Sequence, residues 1–278
     1  MELDDTPKMI KQILTLAFTC TLTSAVVHAE SNANLVSADD IKWGYLNPLR
    51  GDKSPGATDL WGDRTQDVAT GMLVRFNKGF SSPPHIHNIS YRGIVIEGSM
   101  HNDDPTAAQM WMPKGSFWTQ PAGEDHITAA DGQNNLIYLE IDSGPYLVKP
   151  SDQHFDNGQS PVNLHRDNMV WQKLSISGAP INSEVTHLWG STKLGEIGGS
   201  LVKLPNGFNG KISSKANEFK VVVISGELSY QQLKSNSAVT LSPGSYFNST
   251  GQYQHKVSTI KDTVIYVRTN GEYQLVNQ

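Results

Sequence analysis

The sequence predicts an all-β chain built twice over, as two similar barrels or sandwiches in tandem. The first observation behind this is an internal repeat. Trp43 and Trp61 stand 18 residues apart, as do Trp171 and Trp189, and Leu60-Trp61-Gly62 recurs as Leu188-Trp189-Gly190. Gly71, Leu73 and Val74 return as Gly199, Leu201 and Val202, Gly79-Phe80 as Gly207-Phe208, and Gly98 as Gly226. The offset is 128 throughout (189 − 61, 207 − 79, 226 − 98). Gly115 and His126 then match Gly244 and His255 at 129, so one residue has been inserted between. The second observation is texture. Short runs rich in Val, Ile, Tyr and Trp (GIVIEG at 93–98, NLIYLEI at 135–141, KVVVISGELSY at 220–230) are bounded by Gly, Pro, Asn and Ser. The third is that no segment sustains a helical period.

In chain order, residues 1–29 read as a signal peptide. Lys8 and Lys11 precede an apolar stretch from Ile13 to Val27, and Val27-His28-Ala29 offers a small-residue processing site. The stretch is too short and too rich in Thr to span a membrane comfortably. Glu2, Asp4 and Asp5 suit such a leader badly, which makes Met9 an alternative start. Lipidation at Cys20 is the competing reading, for which Thr19 is a poor neighbour. The expectation is cleavage after Ala29 and a periplasmic or secreted protein that is not membrane-bound. Cleavage takes away two Lys and three acids, leaving 20 − 24 = −4, and removes Cys20, the only cysteine. The mature chain then has neither disulfides nor thiol chemistry.

Residues 30–150 form the first expected domain and 151–278 the second, with the Pro-, Asn-, Asp- and Ser-rich stretch 143–168 connecting them. At 18% charged residues and net −5, with no basic patch, the composition excludes nucleic acid as a partner.

The chemistry concentrates at His85 and His87. On a strand the two share one face, because side chains alternate with period two, and Pro83-Pro84 fixes the approach to it. Downstream, Gly115, Pro121 and Gly123 lead into His126. A tight turn that returns His126 to the first pair completes a facial set of three nitrogens. Such a set leaves positions open for water or substrate and suits one divalent transition metal: Fe, Mn, Ni, Cu or Zn.

These spacings resemble the two motifs of the cupin superfamily. Gly79, His85, His87 and Gly98 fall on the first, and Gly115, Pro121, Gly123 and His126 on the second. The resemblance implies jelly-roll β-barrels with the metal inside the mouth. Two copies over nearly the whole mature chain resemble a bicupin, similar to secreted bacterial bicupins of undefined function related to the cupin domain of certain anti-sigma factors. The chain departs from the motif where the family has a Glu ligand: Tyr91 stands there, with Arg92 at the alternative spacing, and Ala130 replaces an expected Asn. Without that carboxylate a dication keeps its formal +2, a stronger Lewis acid that favours anionic ligands. Three-His cupins exist in the thiol dioxygenase group, so metal is not excluded. Tyr91 is expected inward beside His87, within reach of a bound water, and Arg92 on the opposite face.

Under the repeat, Ser213, Lys215, Phe219 and Lys220 replace His85, His87, Tyr91 and Arg92, and only His126 keeps a counterpart in His255. The second barrel is therefore expected to be metal-free, a packing partner. Trp61 and Trp189, equivalent in both halves, are assigned to core or interface packing. His154 and His165 are expected in solvent, His101 at the surface, and His187 without a partner. Met110, Trp111, Met112, Phe117 and Trp118 read as core, in part bounding an apolar pocket near the ion. Glu140 reads as a solvent-facing acid on an edge strand, with an inward base or distant ligand as the alternative.

The functional expectation is an exported metal-binding bicupin. In one reading it is a metal-dependent oxidase, dioxygenase, isomerase or lyase acting on a small polar or anionic molecule, with Tyr91 giving a hydrogen bond or proton. In another it binds or senses a small ligand in the same pocket without chemistry; a third makes both barrels packing modules. A homodimer is compatible with each.

Overall fold

The computed structural model describes residues 33–174, 177–178, 182–191, 193–232 and 237–278. The expected signal peptide, with Cys20, lies outside the described residues.

Strand alternation divides each half into an inner and an outer face. In the strand Asn135–Ile141, Ile137, Leu139 and Ile141 face one core, while Leu136 and Tyr138 face another. The first half closes a seven-stranded sheet over two short ones. The long sheet runs Val162–Leu164, Phe117–Gln120, Tyr91–Glu97, Asn135–Ile141, Thr70–Phe76, Gly56–Trp61, Gly44–Tyr45. Opposite lie a three-stranded sheet around Ser99–Asp103 and a two-stranded ladder of His85–His87 with Val148–Pro150. Met72, Val74, Val95 and Ile137 from the long sheet meet Met100, Met112 and Ala130 from the opposing side. The second half repeats the plan with a seven-stranded sheet over a six-stranded one, filled by Phe208, Phe219, Phe247 and their aliphatic neighbours. These are two tandem jelly-roll barrels, as the repeat predicted. The glycines that kept register do so for a backbone reason. Gly98 and Gly226, at φ 84° and 83°, close equivalent turns in the left-handed region that favours a residue without Cβ.

The long sheets turn their outer faces to each other and form a third core. Leu73, Ile94 and Phe117 meet Leu201, Val222 and Tyr246 there. Trp61 and Trp189 lie in this layer, as expected for packing residues. Each donates its indole N–H to a tyrosine hydroxyl, Trp61 to Tyr138 at 3.2 Å and Trp189 to Tyr266 at 2.9 Å. Gly71 and Gly199 allow this, because a Cβ at either would strike the indole and the hydroxyl. The barrels also exchange strands. Ala33–Val36 pairs with Tyr246–Ser249 of the second sheet, and Val162–Leu164 pairs with Phe117–Gln120 of the first. The exchange obeys the repeat, Asn34 facing Asn248 as Val162 faces Thr119 (162 − 34 = 128; 248 − 119 = 129), so each barrel completes the edge of the other.

Glu140 corrects its expectation. Its strand is central, between Tyr91–Glu97 and Thr70–Phe76, and the side chain is 1% exposed between the barrels rather than in solvent or at the histidines. Tyr266 and Tyr138 donate to its carboxylate at 2.7 and 3.0 Å, and Arg92 and Arg268 each approach to 3.4 Å. Arg92 faces outward as alternation predicted, its guanidinium 3.6 Å over the Trp189 ring. Arg268 is 4% exposed, and removing one partner of a buried ion pair leaves a charge uncompensated. Arg268→Met is expected to lower the unfolding free energy in urea by about 3 kcal/mol. The double variant with Glu140→Gln, which removes the stranded charge, should be more stable than Arg268→Met alone.

Candidate metal centre

The first barrel brings His85, His87 and His126 together: one ligand atom from each lies within 4.8 Å of the other two. Local backbone bonds place them. His85 and His126 form an antiparallel bridge, with N–H to carbonyl distances of 3.1 and 3.0 Å. Gly123, at φ 79°, turns the chain and donates its N–H to the His87 carbonyl at 2.8 Å. A Cβ at Gly123 would collide with the Phe155 carbonyl, so this turn of the second motif requires glycine. Period-two alternation puts His85 and His87 on one side of their short strand, with the rings 5.1 Å apart.

Each imidazole is held by its Nδ1. His85 lies 2.9 Å from the Pro83 carbonyl, His87 3.2 Å from that of Leu147, and His126 3.1 Å from that of Glu124. A carbonyl can only accept, so each Nδ1 carries the proton and each Nε2 is left unprotonated, an acceptor. Burial keeps the rings neutral. It lowers the pKa of His85, lowers that of His87 well below the usual value with help from the two neighbouring imidazoles, and takes His126 to about 3 with help from His85. Neutral rings with oriented lone pairs and main-chain partners behind them are the donor set a divalent transition ion takes.

Two tyrosines flank the set. Tyr91 is 3% exposed, and its hydroxyl lies 3.2 Å from His126 Nε2 and 2.9 Å from Asn102 Oδ1. Asn102 Oδ1 also accepts from Thr128 Oγ1 at 2.8 Å, and its amide donates to Gln120 Oε1 at 2.8 Å. A polar chain thus runs through the barrel floor beside the site. Burial raises the Tyr91 pKa, so the phenol stays protonated. Tyr146 escaped the sequence reading. Its ring stacks on His87 at 4.4 Å and its hydroxyl is 3.3 Å from His87 Nε2. It precedes the ladder strand that pairs with His85–His87, in a stretch that carries no motif. The site opens into a cavity of about 440 Å³ lined by Val74, Phe76, Phe80, Ile137 and Leu139 as well as the polar groups. Trp118 is in this lining, in accord with an apolar pocket near the site, and its ring lies where a Cβ on Gly93 would fall.

Other histidines differ from their expectations. His101 is 6% exposed rather than a surface residue, its Nδ1 3.2 Å from the Met110 carbonyl. It alternates with the inward Asn102 and stands apart from the site. His187 has a partner, Ser200 Oγ at 2.9 Å. His165 caps the turn Arg166–Asn168 by accepting from the Asp167 N–H.

A family profile described as "Domain of unknown function (DUF4437)" matches residues 34–276. The chain belongs to the DUF4437 family. No curated protein sequence matches it. Among solved structures, this DUF4437 chain resembles a protein from Nostoc punctiforme provisionally assigned as a dioxygenase. The identity is 14% over 88% of this chain and 86% of that one, with a TM-score of 0.66. A salicylate 1,2-dioxygenase variant from Pseudoaminobacter salicylatoxidans, in complex with gentisate, is 12% identical over 80% and 78%, at TM-score 0.52. Oxalate decarboxylase from Bacillus subtilis, in a study of its Mn(II) centres, is 13% identical over 87% and 78%, at 0.50. At these identities the likeness establishes the fold alone, a tandem pair of jelly-roll β-barrels.

The second barrel shows what the same position holds without the ligand pair. Sheet register corrects the repeat arithmetic here. His85 bridges His126, whereas His255 pairs with Ile212, so Ile212 and Ser214, rather than Ser213 and Lys215, stand where His85 and His87 do. The Ser82-Pro83-Pro84 segment absorbs one extra residue before His85, a slip that identity matching does not register. His255 is fully buried, with Tyr230 and Ser249 hydroxyls at 2.9 and 3.0 Å from its two nitrogens and the Phe219, Phe247 and Tyr253 rings around it.

Burial lowers the His255 pKa to about 3, against an ordinary 6.5 in the unfolded chain. Above pH 6.5 neither state binds the proton. As pH falls through 6.5 the unfolded state takes it up first, and stability is lost until the folded pKa is reached. Going from about pH 7.5 to 5 is expected to cost about 2 kcal/mol through this residue. His255→Gln should lose correspondingly less over that interval than the parent in parallel urea titrations, and equal losses would refute the assignment.

Proposed function

We propose that the protein is an exported, metal-dependent enzyme acting on a small anionic molecule, with His85, His87 and His126 holding one divalent transition ion. The carrying observation is that three neutral imidazoles, each tied by Nδ1 to a main-chain carbonyl and so unprotonated at Nε2, converge beside a cavity that His85 and His87 line. The ion, from the set Fe, Mn, Ni, Cu and Zn, supplies Lewis acidity toward a carbonyl, carboxylate or enolate oxygen, or redox chemistry if it is Fe, Mn or Cu. The solved oxalate decarboxylase with Mn(II) centres supports Mn chemistry on this fold, and the dioxygenase with gentisate an acidic ligand.

The protein's own groups orient and protonate. Tyr91, neutral and donating to Asn102 Oδ1 at rest, gives its one hydrogen bond or proton to an oxygen at the site by turning its O–H from Asn102. Tyr146 covers the outer side of His87 and excludes water from it. Burial in the apolar cavity strengthens each of these interactions.

A second reading, a binding or sensor protein with the same occupant, is favoured by one observation: no Asp or Glu lines the cavity. A general base is therefore lacking among the lining residues. The discriminating experiment is metal analysis of native protein beside His87→Ala, followed by anaerobic loading with Fe(II) or Mn(II) and assay on a panel of oxo-acids and thiols. Bound metal is expected to fall at least about tenfold in the variant. Equal metal content would remove the ligand assignment, and ligand-dependent thermal shifts without turnover would favour the binding reading.

A further inference from the structure

We propose that the cavity takes an amphipathic monocarboxylate, an aromatic or branched oxo- or hydroxy-acid, and that Arg50 at its mouth is the residue that holds the carboxylate. The proposal rests on the reading of this cavity as the ligand site beside the three histidines.

Charge balance carries the argument first. Among the described residues lining the cavity, Arg50 is the only Lys, Arg, Asp or Glu. A guanidinium and a set of neutral imidazoles suited to a dication therefore face the same space with no protein carboxylate to offset them. Arg50 is exposed at the mouth and solvated there, and an incoming anion meets its guanidinium with no protein carboxylate competing for it.

The state of Arg50 carries it second. Arg64 pairs with Asp59, Arg166 with Asp167, Arg92 and Arg268 with Glu140 and Asp142, and Arg75 lies 4.4 Å over the Trp43 ring. Among the described residues, the Arg50 guanidinium alone of the six arginines makes no ion pair, hydrogen bond or ring contact. Its backbone is nonetheless held. Arg50 sits on the 3-10 segment Pro48–Lys53, whose two ends are tied by the Asn47 N–H to Ser54 Oγ at 2.9 Å. Asn47 Oδ1 caps the segment by accepting from the Leu49 N–H at 3.0 Å. A planar fork of donors on a fixed turn is suited to a carboxylate in bidentate geometry.

Shape carries it third. Val74, Phe76, Phe80, Ile137 and Leu139 give the wall an apolar character, and about 440 Å³ is far more than a compact dianion fills. Burying a ring or branched chain there is favourable, whereas a second carboxylate against that wall would be desolvated without a partner. The same cavity is lined by His85, His87 and Tyr91, so a second ligand oxygen would meet the ion site and its phenol. One charged acceptor at the mouth, an apolar body and a second oxygen inside describe an oxo- or hydroxy-acid.

The test uses the Mn(II)-loaded full chain, phenylpyruvate as probe, its primary amide as the uncharged analogue, and oxalate as the compact dianion, with binding read by calorimetry and metal content measured in every sample. Phenylpyruvate is expected to bind the parent protein more tightly than its amide or oxalate does. Arg50→Gln is expected to weaken phenylpyruvate about tenfold to a hundredfold, to leave the amide unchanged and to retain the parent's metal content, while Arg50→Lys recovers part of the loss. If Arg50→Gln binds phenylpyruvate as well as the parent does, if the parent does not bind it at all, or if oxalate binds as tightly, the substrate class and the role of Arg50 are overturned while the metal assignment stands. If instead both proteins lack metal yet show the same Arg50 dependence, the substrate class holds and the metal reading fails.

Discussion

The buried carboxylate of Glu140 constrains everything around it. A charge 1% exposed between two sheets demands compensation, and here two tyrosine hydroxyls and two guanidinium groups converge on it. Arg268 faces Gly199 as Glu140 faces Gly71, so by sheet register it occupies the repeat position of Glu140 (199 − 71 = 128; 268 − 140 = 128). Two unaltered copies of one barrel would set like charges against each other at this pseudo-symmetric contact, whereas the divergent pair is complementary. The barrels are thus matched as unlike partners, and the exchanged strands Ala33–Val36 and Val162–Leu164 reinforce the match by completing each other's sheets.

That outer contact leaves the inner faces free to diverge. The strand Asn135–Ile141 presents Tyr138 and Glu140 to the neighbouring barrel while Ile137 and Leu139 line the cavity on its other side. One strand therefore serves assembly and site at once. In the second barrel the equivalent interior is filled by aromatic rings around His255, and both imidazole nitrogens are satisfied by hydroxyls. The first barrel keeps its three imidazoles turned to one another, with His85 and His87 at the cavity wall. Division of labour between the halves follows from which interior is packed and which is left open.

The missing carboxylate in the first motif also changes the electrostatics of the site. Tyr91 stands where the cupin motif has its acid, bound to Asn102 and kept protonated by burial. The protein thus offers a cation no negative charge in the cavity, and the balance is left to the ligand. This single substitution links the donor set, the unpaired Arg50 and the acidic character of the proposed substrate.

Much of this was legible from the sequence alone because it depends on local spacing. The 128-residue repeat established two like halves, period-two runs established strands, and the placement of His85, His87 and His126 between turn-forming glycines indicated three convergent imidazoles. Register between distant strands is not local, and only the tertiary structure decided it. Which strand is central, hence that Glu140 is buried at an interface, depends on partners as far away as residue 268. The slip before His85, which aligns Ile212 and Ser214 with the histidine pair, is invisible to identity matching because the second half gains a compensating residue between Ser214 and Gly226, which returns both flanks to an offset of 128. Tyr146 and Arg50 reach the cavity from segments with no motif, brought there by a ladder and a 3-10 turn. The sequence by itself determined what each strand is made of and which face is apolar; the fold decided what each face meets, since that depends on backbone hydrogen bonds between residues far apart in the chain.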